Sequence, residues 1–408
     1  MMYDQILLRF GDLTLKGKNQ KDFYNRLLRL IRLKLKGLNV TINATHDRVY
    51  VKLNDVPYED VIKQLDKVSG LYSYSLVVKC DKDIEVIKEK ALELTKEEAL
   101  KPVKFKVSSK RADKTYPYTS PDLNKIISGY VLANNKNLVV DVHNPEYVLY
   151  VEVRGEGAFI YTSEIRGLGG FPVGVAGKGM VMLSGGIDSP VCGILAQKQG
   201  VEIECIHFES TPLTSIESAQ KVVDLVKIMS EYSAENKIKL HMVPFKEMHQ
   251  ALLKYIPDSY EITIMRRMMY RIATKLAQKR DCLVLINGES VGQVASQTLY
   301  SMNVINSVTN IPIIRPLSTM DKVDIIKYAN KFGTFETSIK PFEDCCTVYV
   351  PRNPATHPHL DKCIEFEKAF DYESLVDWTV DNVKTIELTP DSDLDLSLLG
   401  LEVREVIW

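Results

Sequence analysis

A short segment near the middle of the chain combines two adjacent glycines with hydroxyl and carboxylate side chains. It has the sequence SGGIDS, from Ser184 through Gly185, Gly186 and Asp188 to Ser189, between an apolar run and a helical pattern. Adjacent glycines let the backbone approach a ligand, and the amide groups of such a turn and of the following helix N-terminus attract phosphate oxygens. The segment therefore predicts an anion-binding loop. The alternative is an ordinary strand-to-helix turn capped by Ser189.

Asp188 is the carboxylate of this loop. If the loop binds a nucleotide, we expect the Asp188 carboxylate to lie near the phosphates or near a Mg²⁺ ion carried with them. We expect no metal held by protein ligands alone. A carboxylate at the start of a helix also serves as a cap, so both roles stay open.

Two adjacent cysteines, Cys345 and Cys346, stand in a proline-flanked segment that predicts an exposed loop. A thiol there could act as a nucleophile, and the nearby Lys340 would favour its thiolate form. A disulfide between adjacent cysteines would be strained, so we expect none. The alternatives are buried structural thiols and a metal site that would also use three nearby side chains, His357, His359 and Cys363.

The charges of the chain are divided unevenly around Gly174. Residues 1–174 carry a net charge of +6 and the remainder −7. A basic half suits a polyanion such as RNA, and we place the binding surface at Lys110 and Arg111, in a predicted turn from Ser109 to Lys114. Neighbouring side chains would add phosphate contacts and stacking surfaces: Lys104, Lys106, Lys114, Tyr116 and Tyr118. The alternative is a solvated strand edge.

Composition excludes several classes of protein. The chain has 408 residues, 45% hydrophobic and 26% charged, which is typical of a globular protein with two or three domains. Its seven cysteines are too few and too scattered for a secreted disulfide framework. No apolar stretch reaches the ~18 residues of a membrane span, and the N-terminus lacks the apolar run of a signal peptide. We therefore expect a cytoplasmic protein that does not bind membranes.

The hydrophobic pattern predicts an α/β protein in several parts. A strand at Gln5–Arg9 and a helix at 20–36 open a small α+β unit of ferredoxin-like type. A second α/β unit follows, and a crowd of glycines then predicts a linker. From Met180 onward, strand-length apolar runs alternate with helical patterns, which predicts a doubly wound parallel sheet. Ligands bind beyond the carboxyl ends of such strands, where the SGGIDS loop lies.

The loop matches the SGGxDS signature of the ATP pyrophosphatases, or PP-loop enzymes. Together with LTLKGKN, SSKRADKTYP, GGFPVG, NGESVGQVASQT, RPL and FETSIKPFEDCCT, in this order, it resembles the tRNA 4-thiouridine synthetases. The resemblance ends near Asn353. It implies an N-terminal ferredoxin-like domain (1–60), a THUMP RNA-binding domain (61–165), a glycine-rich linker (166–178) and a PP-loop domain with an acidic tail (179–408). Departures from the usual pattern are Asp12, Cys192 and Ser290. Longer relatives append a rhodanese domain, for which we see no room.

The resemblance also implies the chemistry. ATP, with Mg²⁺, would adenylate O4 of a tRNA uridine, and sulfur from a cysteine desulfurase persulfide would replace that oxygen, with Cys345 favoured over Cys346 as the reactive thiol. The tRNA acceptor end would bind the basic half, and sulfur transfer for thiamine thiazole synthesis is a further role in some of the family. The implied ATP site consists of Met182, Leu183, His207, Phe208, Arg266, Gly288 and Gln297.

Core packing is the alternative for the apolar members of that set and for His207, while Arg267 could replace Arg266. At the level of the whole protein, the alternatives are another PP-loop ligase and a non-catalytic tRNA-binding sulfur carrier. The sequence leaves the oligomeric state open, with a homodimer as one alternative.

Overall fold

The computed structural model describes residues 3–11, 20–44, 48–211, 213–342, 353–394 and 396. Two compact units divide the chain, Met1–Gly170 and Phe171–Trp408. The predicted reactive cysteines, Cys345 and Cys346, lie outside the described residues, as do Asp12 and the LTLKGKN motif.

The first unit is built on one nine-stranded sheet. Its strands are β1 (Gln5–Arg9), β2 (Thr41–Ala44), β3 (Val49–Lys52), β4 (Ser73–Cys80), β5 (Val103–Arg111), β6 (Leu138–Val140), β7 (Tyr147–Arg154), β8 (Gly157–Tyr161) and β9 (Ile165–Arg166). Its helices are α1 (Gln20–Lys34), α2 (Tyr58–Leu65), α3 (Ile84–Glu98) and α4 (Ser120–Asn134). The strand order is β2-β3-β1-β4-β8-β7-β5-β6, and β9 pairs with β4.

Strand β4 joins the two parts of this sheet. Its residues 73–77 pair with β1, and residues 78–80 pair with β8. The predicted ferredoxin-like and THUMP parts therefore share a continuous sheet. Helices α3 and α4 cover the second part, where Ile87, Leu123 and Ile127 are fully buried in its core.

The predicted turn from Ser109 to Lys114 is wrong in its first half. Strand β5 continues to Arg111, because Lys110 pairs with Glu152 and Arg111 with Val153 of the parallel strand β7. The turn begins only after Arg111. Lys110 and Arg111 therefore stand on a strand, held by the ladder of backbone hydrogen bonds.

The second unit has a six-stranded sheet. Its strands are β10 (Lys178–Met182), β11 (Glu202–Glu209), β12 (Ile238–Pro244), β13 (Val284–Ile286), β14 (Ile313–Ile314) and β15 (Lys384–Leu388). Its helices are α5 (Asp188–Lys198), α6 (Ile216–Ser230), α7 (Lys246–Tyr255), α8 (Asp258–Lys279), α9 (Leu299–Asn306), α10 (Lys322–Phe332), α11 (Phe335–Ser338), α12 (Leu360–Glu367) and α13 (Tyr372–Asp381). The strand order is β14-β13-β10-β11-β12-β15.

The first five of these strands run parallel, which confirms the predicted doubly wound sheet. The acidic tail, residues 371–408 with ten Asp and Glu side chains, is folded in its first part, which forms α13 and β15. Strand β15 pairs antiparallel with β12, and Val376 and Val380 of α13 are buried in the core. Val376 and Val380 are four residues apart and lie on one face of α13, so a buried apolar face is present within the acidic segment.

The glycine-rich stretch predicted as a linker is hydrogen-bonded at both ends. The Gly167 and Gly169 amides donate to the backbone of residues 72 and 71, and the Gly174 amide donates to the carbonyl of Gly200. The unit boundary falls between Gly170 and Phe171. None of the helices in the described part of the chain has the length and hydropathy of a membrane-spanning segment.

Candidate functional site

The SGGIDS loop connects the end of β10 to the start of α5. The Ser184 amide donates to Ser189 Oγ over 2.9 Å, and Ser189 Oγ donates to the Ser184 carbonyl over 3.0 Å. Ser184 Oγ also accepts a 3.4 Å hydrogen bond from the Gly186 amide. These bonds close the loop into a tight turn at the carboxyl end of a central strand. A turn of this kind places backbone amides where they can meet an anion.

Neither Asp188 nor Ser189 caps the helix. The N-cap is Ile187, with no side-chain cap, and Asp188 is the first helical residue. The Asp188 carboxylate instead pairs with the Lys322 ammonium and accepts a 3.2 Å hydrogen bond from Gln293 Nε2. The capping alternatives from the sequence are therefore wrong, because the helix begins one residue too early for a cap at Asp188 and two residues too early for a cap at Ser189. Asp188 is joined to two separate segments.

A cavity of about 260 Å³ adjoins this loop. It is lined by all seven residues that the resemblance assigned to ATP binding: Met182, Leu183, His207, Phe208, Arg266, Gly288 and Gln297. Ser184, Asp188 and Ser189 also line it, and Gly185 and Gly186 lie in the loop between them. His207 is buried, and its Nδ1 lies 3.1 Å from the Leu183 carbonyl oxygen. It is thus both an interior histidine and a cavity residue.

The space around residue 288 is too small for any side chain, so only glycine fits there. A Cβ atom at this position would lie 2.8 Å from the carbonyl carbon of Asp188 and 2.9 Å from the Ser189 nitrogen. Both are backbone atoms of the first turn of α5, which cannot rotate away. The glycine therefore lets the segment after β13 approach the loop closely.

The structure distinguishes the two adjacent arginines of α8. Arg266 lines the cavity. Arg267 is buried at 2% exposure and holds Glu367 through Nε and Nη2, at 2.5 and 3.1 Å. Its Nη1 also donates to the Val304 carbonyl over 2.6 Å. The alternative of Arg267 as the cavity residue is therefore wrong, because its guanidinium is used to join α8 to α12 and α9.

Sequence reasoning missed four lining residues: Met269, Tyr270, Asn287 and Glu289. Glu289 is the centre of this group. Its carboxylate accepts from Arg315 Nε over 2.8 Å, from Asn287 Nδ2 over 2.9 Å and from the Tyr270 hydroxyl over 3.2 Å. Arg266 pairs with the other carboxylate oxygen. The NGES and RPL motifs contain Asn287, Glu289 and Arg315, so the signal was in the sequence without a role attached.

This cluster sets the ionisation of its members. Burial alone would raise the pKa of the Glu289 carboxyl, but the guanidinium groups of Arg266 and Arg315 outweigh it and hold that pKa below its usual value. Burial, and next the charge of Glu289, raise the pKa of Tyr270. The cavity wall therefore presents an ionised carboxylate between two arginines.

Every cysteine in the described part of the chain has the burial and the raised pKa that are typical of a structural thiol. Cys192, Cys205, Cys282 and Cys363 are buried and Cys80 is partly buried, and burial raises the pKa of each. Cys192 Sγ donates to the Asn287 carbonyl over 2.8 Å. Within the described ranges, no group of three or more His, Cys, Asp or Glu side chains could hold a metal ion.

The predicted RNA-binding residues differ in their surroundings. Lys110 is exposed, whereas the Arg111 side chain is half-buried and donates to the Tyr116 carbonyl over 3.3 Å. Tyr116 is only 8% exposed, and its hydroxyl donates to the Lys82 carbonyl over 2.7 Å. The prediction of Tyr116 as a stacking surface is therefore wrong, because its ring packs in the core of the THUMP part.

Known families match three successive parts of the chain. Residues 5–75 match the ThiI ferredoxin-like domain, residues 81–163 the THUMP domain, and residues 174–372 the family described as "Thiamine biosynthesis protein (ThiI)". The order agrees with the ferredoxin-like, THUMP and PP-loop architecture expected from the sequence.

Individual relatives cover the chain almost completely. A probable tRNA sulfurtransferase of Acholeplasma laidlawii is 49% identical over 100% of this chain and 98% of its own length. One of Macrococcus caseolyticus is 48% identical over 95% of this chain and 97% of its own length. A solved 4-thiouridine synthetase–RNA complex with bound ATP is 37% identical, with a TM-score of 0.85 over 95% of this chain and 100% of that one. The loop, the cavity and these matches together show that the chain belongs to the ThiI family of tRNA sulfurtransferases.

Proposed function

We propose that this chain is an ATP-dependent tRNA sulfurtransferase that converts a tRNA uridine to 4-thiouridine. The observation that carries the proposal is the junction of the SGGIDS loop with the cavity, because all seven residues expected to bind ATP line that cavity. The 260 Å³ volume is below the ~300–1,000 Å³ of pockets for drug-sized ligands. It therefore suits the adenosine part of ATP, with the phosphates over the loop.

The charges around the loop suit the phosphates. The amides of the loop and the N-terminus of α5 would contact the departing pyrophosphate. The Asp188 carboxylate would help to hold the Mg²⁺ that accompanies ATP, because Mg²⁺ prefers oxygen ligands from carboxylates, phosphates and water. When bound, Mg²⁺ would neutralise the charge that develops on the pyrophosphate. Lys322 already pairs with Asp188 and would share this neutralisation.

The reaction has two stages, adenylation of the uridine and then sulfur transfer. Uridine O4 attacks the α-phosphorus of ATP, the bond to the β-phosphate oxygen breaks, N3 loses a proton, and pyrophosphate leaves. The terminal sulfur of a persulfide then attacks C4, and AMP leaves. A thiol cleaves the remaining S–S bond, which gives 4-thiouridine and a disulfide that an external dithiol reduces.

Cys345 and Cys346 are our candidates for the sulfur chemistry, with Cys345 favoured, and a cysteine desulfurase is the proposed donor. Replacing both by alanine should abolish thiolation with a persulfide donor but leave tRNA-dependent pyrophosphate release intact, because adenylation comes first. Single alanine variants identify the reactive thiol. Thiolation by the double variant at the wild-type rate would remove both cysteines from the mechanism.

The tRNA would bind through the basic first unit, with Lys110 and Arg111 on strand β5 among the phosphate contacts. Two features stay predictions, namely the cytoplasmic location and a homodimer. The ThiI family is described by its role in thiamine biosynthesis, so we also propose sulfur transfer to that pathway as a second role.

A pyrophosphate-release assay tests the main proposal. Release that depends on unmodified tRNA, followed by 4-thiouridine in the nucleosides when a persulfide donor is added, is the expected result. Release with a small carboxylic acid instead of tRNA would favour another PP-loop ligase. No release with either, despite tRNA binding, would favour a non-catalytic sulfur carrier.

A further inference from the structure

An exposed apolar cluster follows the cavity in the chain. Val291, Val294, Leu299 and Tyr300 lie within ten residues and are 46, 50, 66 and 61% exposed. Single exposed apolar residues are common on protein surfaces, but a group of them marks a contact surface.

The cluster is directly connected to the proposed ATP site. Gln297, between Val294 and Leu299, lines the cavity, and Gln293 donates to the Asp188 carboxylate over 3.2 Å. Tyr300 is three residues beyond Gln297, so their Cα atoms are at most about 11 Å apart along the chain. The surface therefore begins within a few residues of one that lines the cavity.

Two exposed rings form its end. The rings of Tyr300 and His357 have centroids 4.2 Å apart and an interplanar angle of 38°. Their backbones are fixed to each other, because Thr298 Oγ1 donates to the Thr356 carbonyl over 2.7 Å and also caps α9. Ser301 Oγ makes a second, 3.5 Å contact with the same carbonyl. The two segments that carry the rings are thus hydrogen-bonded to each other, while both side chains are exposed.

We infer that the surface formed by Tyr300 and His357 stacks against the target uridine when that nucleotide leaves the tRNA stack to reach ATP. This inference rests on the proposed function. Enzymes that modify a base must extract it from the helix, and they hold extracted bases against aromatic side chains. Paired rings beside the cavity, with polar edges and an exposed face, match a nucleobase better than an extended apolar peptide.

Alanine substitution of Tyr300 tests the inference. A stacked base contributes ~1–3 kcal/mol, so Tyr300→Ala should lower kcat/KM for tRNA in pyrophosphate release about 5- to 150-fold. ATP affinity without tRNA should not change, and Tyr300→Phe should retain most of the activity because the ring remains. Tyr255→Ala is the matched control, since Tyr255 is 43% exposed and stacks on Phe370 elsewhere in the same unit.

A cross-linking experiment gives a readout independent of turnover. The 4-thiouridine in product tRNA is photoreactive, so near-ultraviolet irradiation of the wild-type complex should join it to a peptide containing Tyr300 or His357, identified by mass spectrometry. Tyr300→Ala should lower the yield of that cross-link, and Tyr255→Ala should not.

The possible failures are distinguishable. If the wild-type protein releases no pyrophosphate with tRNA, the proposed function is wrong. If it does so and Tyr300→Ala matches it, with cross-links elsewhere, only the stacking surface is wrong. If Tyr300→Ala releases pyrophosphate normally but loses thiolation with a desulfurase and its persulfide, the surface binds a protein partner, which also overturns the inference.

Discussion

Glutamine substitution of Glu289 removes one negative charge from the cavity wall and keeps the shape of the side chain. Glu289 is 4% exposed, and its two arginine partners, Arg266 and Arg315, are 22 and 18% exposed. Breaking a buried ion pair costs ~3–5 kcal/mol, and the partial exposure of both arginines favours the lower end, about 3 kcal/mol. We expect Glu289→Gln to lower the free energy of unfolding of the second unit by that amount.

The substitution should also weaken ATP binding, because Arg266 lines the cavity and loses the carboxylate that orients it. Urea unfolding measures the first effect and equilibrium dialysis with labelled ATP the second. Glu365→Gln is the control, since Glu365 is an exposed residue of α12. Equal unfolding free energies and equal ATP affinities for Glu289→Gln and the wild type would refute the role assigned to this cluster.

The wild type and Glu289→Gln can also be compared as a function of pH. The folded-state pKa of Glu289 lies below its ordinary value of 4.5. The contribution of the ionised carboxylate to the free energy of unfolding is therefore complete above about pH 4.5. The contribution is lost as the pH falls through the folded-state pKa. The stability difference between wild type and Glu289→Gln should therefore be constant from pH 6 to 8 and decrease below about pH 4.5. A difference that grows on acidification would contradict this sign.

Three further predictions concern the loop and the RNA surface. Gly288→Ala should abolish detectable ATP binding at concentrations that saturate the wild type, because its Cβ would collide with the backbone of Asp188 and Ser189; unchanged dialysis curves would contradict this. Asp188→Asn should slow tRNA-dependent pyrophosphate release at least tenfold while the fold, followed by circular dichroism, is retained. Replacing Lys110 and Arg111 together by alanine should weaken tRNA binding and reduce the salt slope by up to ~2, without changing ATP affinity; an unchanged slope would place the RNA surface elsewhere.

The SGGIDS loop could be predicted from the sequence because it depends on a local pattern of glycines and hydroxyl groups. A parallel sheet predicts that ligands bind near strand ends such as His207 and Phe208, but only the family resemblance assigned those residues to ATP. The Glu289 cluster could not be derived in this way. Arg315 is 26 residues from Glu289 and Arg266 is 23, and nothing in their spacing shows that α8 and the segment after β14 converge.

Composition conceals two strands of the structure. Lys110 and Arg111 look like a charged turn, and the acidic composition of residues 371–408 gives no sign of the strand within them. Strand β5 nevertheless continues through Arg111 and β15 pairs with β12, since each has a partner strand that is distant in the sequence. Tertiary pairing of this kind overrides local preference.

Strand β15 has a consequence for the protein while it is being synthesised. His241 of β12 meets Thr385 of β15 across 144 residues. At roughly 5–20 residues per second, the ribosome needs roughly 7–30 s to produce the partner after β12 is made. During that interval one edge of β12 has unpaired backbone groups that can recruit another nascent chain. The unpaired edge of β12 is therefore a site of aggregation during synthesis, and this risk ends once β15 has paired with it.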